Sequence, residues 1–170
     1  VQHIHLDILA DLHTGIAAYE QGKYDLVGYG GYENFPLAEV LRIKNGGGEE
    51  SKELVLQPKG RSTWVSFNVK ANSVRLAKGP FTDDQPHAQE LRQAFALAVD
   101  KQKLARTVCG GLLCTPATGG VIPPSLYGYL GDNADPLARF DPGQARQLLK
   151  RADPDGSRTR NLTYTFNPEA

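Results

Sequence analysis

The strongest constraint on the fold is an apolar stripe near the middle of the chain. Leu91, Ala94, Phe95 and Ala98 follow the i, i+3, i+4, i+7 spacing that places side chains on one face of an α-helix. The pattern predicts an amphipathic helix over residues 86–99. Because such a face is stable only when another element covers it, we expect the Phe95 ring to be buried.

Four further helices are indicated by residues that typically begin helices. An Asp side chain can accept hydrogen bonds from the first amides of a helix, and Pro suits the first helical turn. These signals predict helices that begin after Asp11, at Asn34 and Pro36, after Asp100 and after Asp141, the last two over residues 101–109 and 142–152. The 101–109 helix carries Leu104 and Val108 at helical spacing, which indicates its inward face.

Alternating apolar and polar residues predict strands between these helices. Within residues 1–9, Ile4, Leu6 and Ile8 share one side of an extended chain, as in a half-buried strand. Strands are also predicted at residues 24–29, 54–56, 63–69 and 161–166. The first strand, helix and second strand form a candidate parallel βαβ unit. Helices and strands in this order predict an α/β fold.

The composition excludes two classes of function. The 170 residues contain 19 Lys and Arg against 19 Asp and Glu, so the chain lacks the basic excess that nucleic-acid binding needs. A mean hydropathy of −0.40 and the lack of an apolar run of roughly 20 residues exclude a membrane span.

The chain begins with Val and is predicted to start and end in strands, which is typical of an internal segment of a longer protein.

Three histidines near the start of the chain raise the question of a metal site. His3 and His5 leave the same face of the predicted first strand and would chelate zinc if His13 came close as a third ligand. The alternative is a polar strand face. Since the sequence contains no second group of ligands that would complete the site, we predict no metal.

The two cysteines of the chain, Cys109 and Cys114, enclose residues 110–113. A redox motif would need a CxxC spacing, and a structural zinc site would need two more ligands. The spacing therefore leaves a local disulfide and two buried thiols as alternatives.

Trp64 is the aromatic residue most suited to a ligand cleft. Alternation places it on one face with Ser66 and Asn68, and places Val65 and Phe67 on the other. A face that mixes an aromatic ring with hydrogen-bonding groups is typical of ligand clefts. Tyr29, at the end of a predicted strand, is a second candidate for the same role, and the alternative for each is a place in the core.

Several segments, taken in order along the chain, resemble one known family. They are residues 17–25, residues 64–68, residues 79–81 with Asp83, residues 91–101, residues 110–116, Pro123 with Pro124, and residues 140–142 with Ala145, Leu148 and Leu149. Together they resemble the family 5 extracellular solute-binding proteins, the oligopeptide- and dipeptide-binding components of ABC importers. Residues 84–90 and 151–156 depart from the family's usual pattern.

The resemblance implies an α/β fold of two lobes that closes on its ligand, of the class II type found in periplasmic binding proteins. The chain would cross between the lobes near residues 60–63. Residues 1–61 would form the end of the first lobe and residues 62–170 the start of the second, so the chain would be a fragment that straddles the hinge. The family's main contacts to peptide termini would lie beyond Ala170.

The resemblance also implies a function. We expect a non-catalytic, monomeric receptor without a cofactor, located in the periplasm or held at the cell surface as a lipoprotein. Its partners would be a peptide or another small solute and the permease subunits of an ABC importer. Trp64, Asn68 and Tyr29 would contribute to ligand binding, and the exported setting favours a disulfide between Cys109 and Cys114.

Two alternative functions follow from the same observations. The domain would serve as the ligand-sensing part of a regulator if a DNA-binding domain preceded it. His3, His5 and His13 would instead support a metal-dependent enzyme if they converged on one ion.

Overall fold

The computed structural model describes residues 1–28, 35–57, 59–70 and 79–166. The chain divides into two compact units, of which one comprises Val1–Lys59 with Cys109–Leu113 and the other Gly60–Val108 with Cys114–Ala170. The assignment of residues 1–61 and 62–170 to the two lobes of a receptor stays a prediction.

The described residues form helices. In chain order these are α1 (Leu12–Glu20), α2 (Leu37–Gly46), α3 (Glu49–Glu53), α4 (Ala88–Ala98), α5 (Lys101–Cys109) and α6 (Pro142–Ala152). The predicted helices at residues 86–99, 101–109 and 142–152 are confirmed, whereas α3 was not predicted. Each helix in the described part of the chain is too short or too polar to cross a membrane.

The starts of α1 and α6 follow from side-chain capping. Asp11 accepts hydrogen bonds from the amides of His13 at 3.2 Å and Thr14 at 3.1 Å, as expected for the residue before α1. Asp141 accepts from the amide of Gln144 at 2.8 Å and begins α6, which has Pro142 in its first turn. These contacts are local, so the sequence alone was sufficient to place them.

The α4 and α6 helices pack against each other and form the core of the second unit. Ala94 and Leu97 of α4 are buried against Ala145 and Leu148 of α6. Alanines allow the two backbones to approach while the leucines fill the space between them. Helix α6 is therefore the element that covers the apolar face of α4.

The stripe itself differs in detail from the prediction. Leu97 is 1% exposed, although it was not placed on the inward face, and Ala98 is exposed. Phe95 is half-buried, because its ring packs edge-on against Phe81 at 5.2 Å and Phe67 at 6.1 Å instead of in the α4–α6 core. The buried face of α4 therefore runs along Ala88, Leu91, Ala94 and Leu97, at a spacing of three residues, and does not include Ala98.

The α/β prediction is wrong, because the described residues contain helices and no β-strand. Within residues 1–9, Ile4 and Leu6 are each 78% exposed and Ile8 is 99% exposed, so no element in the described part of the chain covers the apolar side. Alternation along the chain is compatible with a strand, but a strand forms only where a second segment pairs with its backbone N–H and C=O groups. Among the described residues, neither residues 1–9 nor residues 63–69 are assigned to a strand.

Candidate functional site

The exposed aromatic side chain at the start of residues 64–69 is the centre of the candidate site. The Trp64 side chain is 62% exposed, and its indole Nε1 donates a hydrogen bond to the Ser66 hydroxyl at 3.1 Å. This contact places both side chains on the same side of the segment, as the alternation predicted. The indole face thus remains available to a ligand while its polar edge is already hydrogen-bonded.

A cluster of aromatic rings holds this segment on its other side. Phe67 lies 4.7 Å from Phe81, centroid to centroid, and both rings pack against Phe95 of α4. The tilted and edge-on geometries are those that aromatic pairs prefer. The cluster anchors the segment to α4, and the anchor leaves Trp64 exposed.

Two polar contacts hold Phe81 in place. Arg92 of α4 donates to the carbonyl oxygen of Phe81 at 2.6 Å and to the carboxylate of Asp83 at 2.9 Å. The amide of Asp83 in turn donates to the carbonyl oxygen of Val69 at 3.0 Å. Direct hydrogen bonds therefore join α4, the loop before α4 and the end of residues 64–69.

The structure also gives the positions of residues near Trp64. Asn68 is half-buried, and its role in ligand binding stays a prediction. Val65 is 62% exposed rather than turned inward, because the ring cluster receives Phe67 alone from this part of the segment. Tyr29 lies outside the described residues.

A buried carboxylate forms a second polar centre in the same unit, which the sequence analysis missed. Asp153, 4% exposed, accepts hydrogen bonds from the Thr159 hydroxyl at 2.7 Å and from the amides of Arg158 and Thr159 at 3.1 and 2.9 Å. The hydrogen bond from the Thr159 hydroxyl, with those from the two amides, holds the pKa of the Asp153 carboxyl below its usual value. These hydrogen bonds fix the turn that follows α6.

That turn positions the Arg158 side chain. Its guanidinium donates to the carbonyl oxygens of Ala152 at 2.6 Å, Pro86 at 2.8 Å and Pro80 at 2.9 Å. Pro80 directly precedes Phe81, so Arg158 supports the loop that carries one ring of the cluster. The two segments that depart from the family's pattern, residues 84–90 and 151–156, are thus close to one another around this side chain.

The three histidines that were considered as an alternative zinc site do not form a metal-binding group in the part of the chain that the structure describes. The ring Nε2 of His5 lies 3.0 Å from Asp7, and the ring Nδ1 of His13 lies 3.8 Å from Glu39. His3 is exposed. The contact of His5 with Asp7 and the contact of His13 with Glu39 are separate polar interactions.

The two cysteines lie at the end of α5 and in the turn after it. The amides of Leu112 and Leu113 donate to the carbonyl oxygen of Cys109 at 3.0 and 3.2 Å, which bends the chain sharply before Cys114. Both cysteines are half-buried, and neither is free. Their pairing as a disulfide stays a prediction.

Comparison with known proteins gives one match. Residues 1–169 match the family model described as bacterial extracellular solute-binding proteins, family 5 Middle. Neither a curated protein nor a solved structure matches the chain. Since the match extends over nearly the whole sequence, the chain belongs to the bacterial extracellular solute-binding proteins of family 5.

Proposed function

We propose that the protein captures peptides or peptide-like solutes outside the cytoplasm and delivers them to the permease of an ABC importer. The observation that carries the proposal is the family match over residues 1–169. The role is one of binding and release, without covalent chemistry. We place the protein in the periplasm or at the cell surface as a lipoprotein, acting as a monomer.

The chemistry around Trp64 supports this proposal. A large ring that is 62% exposed, beside a hydroxyl group, offers apolar contact and a hydrogen-bonding partner to the same ligand. Its rigid side chain loses little conformational entropy when a ligand packs against it. The ring cluster of Phe67, Phe81 and Phe95 fixes the segment in advance, so that little of the binding free energy is spent on ordering it.

A peptide suits such a surface better than a ligand with one fixed shape. Backbone amides and carbonyls of a peptide are the same for every sequence, so hydrogen bonds to them give affinity without selecting side chains. An aromatic surface accepts apolar side chains of different sizes through non-directional contact. We therefore expect broad selectivity for short peptides.

The experiment is capture followed by titration. The protein is incubated with a tryptic digest of casein, the retained peptides are identified by mass spectrometry, and the most enriched peptide is titrated by calorimetry. We expect Trp64→Ala to weaken binding of that peptide by roughly 1–3 kcal/mol, with little change in melting temperature. Tyr127→Ala is the matched control, because Tyr127 is a fully exposed aromatic residue and its loss should change neither quantity.

Two results would contradict the proposal. Retention of no peptide from the digest would show that the solute belongs to another chemical class. Unchanged affinity in Trp64→Ala, together with a large drop in melting temperature, would show that the ring has a structural role instead.

A further inference from the structure

A cavity of about 410 Å³ lies in the second unit, at the start of α5. Its walls come from the first residues of α5 and from the loop between α5 and α6, and they include Asp100, Lys101, Pro116, Asn133, Asp135 and Phe140. The volume falls within the range of about 300–1,000 Å³ that is typical of small-molecule sites. Trp64, Ser66 and Asn68 are not part of these walls, so the cavity is separate from the candidate site described above.

Backbone hydrogen bonds hold the walls in place. The amide of Asp135 donates to the carbonyl oxygen of Thr118 at 3.1 Å, which joins two distant parts of the loop. The amide of Asp141 donates to the carbonyl oxygen of Leu97 at 2.9 Å, which ties the end of the loop to α4. A loop of this length without helical residues would otherwise be free to change shape, so these contacts preorganise the cavity.

The charged groups of the cavity balance in number but do not neutralise one another. Asp100 and Asp135 supply the negative charges, and Lys101 and Arg139 supply the positive charges. Arg139 lies 3.8 Å from Asp141 and donates to Gln144, so its charge is partly compensated outside the cavity. Among the described residues, Asp100, Lys101 and Asp135 have no group of opposite charge within 4.0 Å.

The uncompensated groups make only weak or local hydrogen bonds. The Lys101 ammonium donates to the carbonyl oxygen of Ala117 at 3.4 Å, a long contact that leaves most of its donor capacity unused. One oxygen of Asp135 accepts the amide of Leu137 at 2.9 Å, and one oxygen of Asp100 accepts the amide of Lys103 at 2.8 Å. A carboxylate has two oxygens, so each retains capacity to accept from a cationic ligand.

An apolar surface lies beside these charges. The Phe140 side chain is 50% exposed, and Pro116 and Pro136 add two rings without side-chain polar groups. Ala138, 8% exposed, closes the wall next to Phe140. The cavity therefore presents the Lys101 ammonium, two carboxylates and an apolar surface to the same volume, together with the partly compensated guanidinium of Arg139.

We propose that this cavity is a binding site for a compact zwitterion, a free α-amino acid with an apolar side chain. The carboxylate of the ligand pairs with Lys101, its ammonium group pairs with Asp135 and Asp100, and its side chain packs on Phe140. Charge complementarity favours a ligand that carries both charges over one that carries either alone. The proposal does not depend on the solute that binds near Trp64.

The test uses L-phenylalanine as the probe and two analogues that each lack one charged group, 3-phenylpropionate and phenethylamine. Binding is followed by the shifts of backbone amide signals in ¹H–¹⁵N spectra of the protein. We expect the signals of Lys101, Asn133 and Asp135 to shift saturably with L-phenylalanine. Each analogue should bind about tenfold more weakly or worse, because a hydrogen bond to a charged group is lost.

Variants locate the site. Lys101→Ala and Asp135→Asn should each weaken binding of L-phenylalanine by about tenfold, and Asp135→Asn keeps an oxygen that can accept the Leu137 amide. Lys103→Ala is the matched control on the same helix, since the Lys103 side chain is exposed and lies outside the cavity. Trp64→Ala should leave L-phenylalanine binding unchanged, which separates this proposal from the proposed function.

Three results would overturn the proposal. The first is an absence of shifts at probe concentrations on the order of 10 mM, where even a millimolar site would be occupied. The second is equal binding of L-phenylalanine and 3-phenylpropionate. The third is wild-type affinity in both Lys101→Ala and Asp135→Asn, with thermal unfolding used to confirm that the two variants fold.

Discussion

The guanidinium of Arg158 donates a hydrogen bond to the carbonyl oxygen of Pro80 at 2.9 Å, across 78 positions of the chain. The same side chain also donates to Ala152 and Pro86, so it joins the turn after α6 to both ends of the loop before α4. The planar guanidinium can reach several acceptors at once, which an ammonium group cannot do with the same geometry. Arg158 therefore connects two segments that have no helix or strand of their own.

Replacement of Arg158 should destabilise the second unit. Arg158→Ala leaves three carbonyl oxygens without this donor, and we expect the free energy of unfolding to fall by about 2 kcal/mol or more, the scale of hydrogen bonds to charged groups. Urea denaturation measures the change. Arg160→Ala is the control, because Arg160 is exposed two residues away, and an equal loss in both variants would show that the contacts contribute little.

Asp153 should make the stability of the protein depend on pH in the acidic range. The hydrogen bonds from Thr159 and Arg158 lower the pKa of the carboxyl in the folded state relative to the unfolded chain, whose value is about 4. The folded state therefore gains stability above that pH and loses it as the pH falls through the lowered pKa. Melting temperatures measured from pH 5 down to about pH 2 should fall less steeply in Asp153→Asn than in the wild type.

Asp25→Asn serves as the control for this experiment. Asp25 is exposed, so its replacement should leave the slope of melting temperature against pH close to that of the wild type. If Asp153→Asn and the wild type show the same slope, the carboxylate does not contribute to acid sensitivity.

The starts of α1, α5 and α6 were predictable because the interactions that set them are local. Asp11, Asp100 and Asp141 each accept an amide hydrogen within three residues, so the sequence around each is enough to identify the start of a helix. The predictions of strands were wrong because they rested on local patterns alone. The alternation of Ile4, Leu6 and Ile8 is a local pattern, whereas a strand requires a partner whose position depends on the whole fold.

In the candidate sites, too, local contacts were predictable and long-range contacts were not. The shared face of Trp64 and Ser66 follows from alternation between neighbours and was predicted. The contacts of Arg158 were not, because its acceptors are backbone carbonyls and any residue type would supply them. The cavity beside α5 was not predicted, because the charged residues that line it come from separate segments of the chain.

The core between α4 and α6 should depend on Leu97. This side chain is 1% exposed and packs with Ala94, Ala145 and Leu148, so Leu97→Ala removes buried apolar contact and leaves a cavity. We expect a loss of about 2–5 kcal/mol in the free energy of unfolding, measured by urea denaturation.

Leu104→Ala is the matched control, because it makes the same substitution at a leucine that is 53% exposed. The sequence pattern placed Leu104 on the inward face of α5, whereas the structure buries Ala105 there instead. A loss within about 0.5 kcal/mol is expected for an exposed position. A larger loss in Leu104→Ala than in Leu97→Ala would contradict the packing described here.

Finally, we expect Cys109 and Cys114 to form a disulfide in the exported protein. They are the two cysteines of the chain, and the hydrogen bonds from Leu112 and Leu113 to the Cys109 carbonyl bend the intervening turn. A loop this short removes little entropy from the unfolded chain, so reduction should lower the free energy of unfolding by about 2 kcal/mol or less. Intact mass measured after alkylation, with and without reductant, decides the question. Alkylation of both thiols without reductant would exclude the bond, and Cys109→Ser with Cys114→Ser should reproduce the stability of the reduced protein if the bond is present.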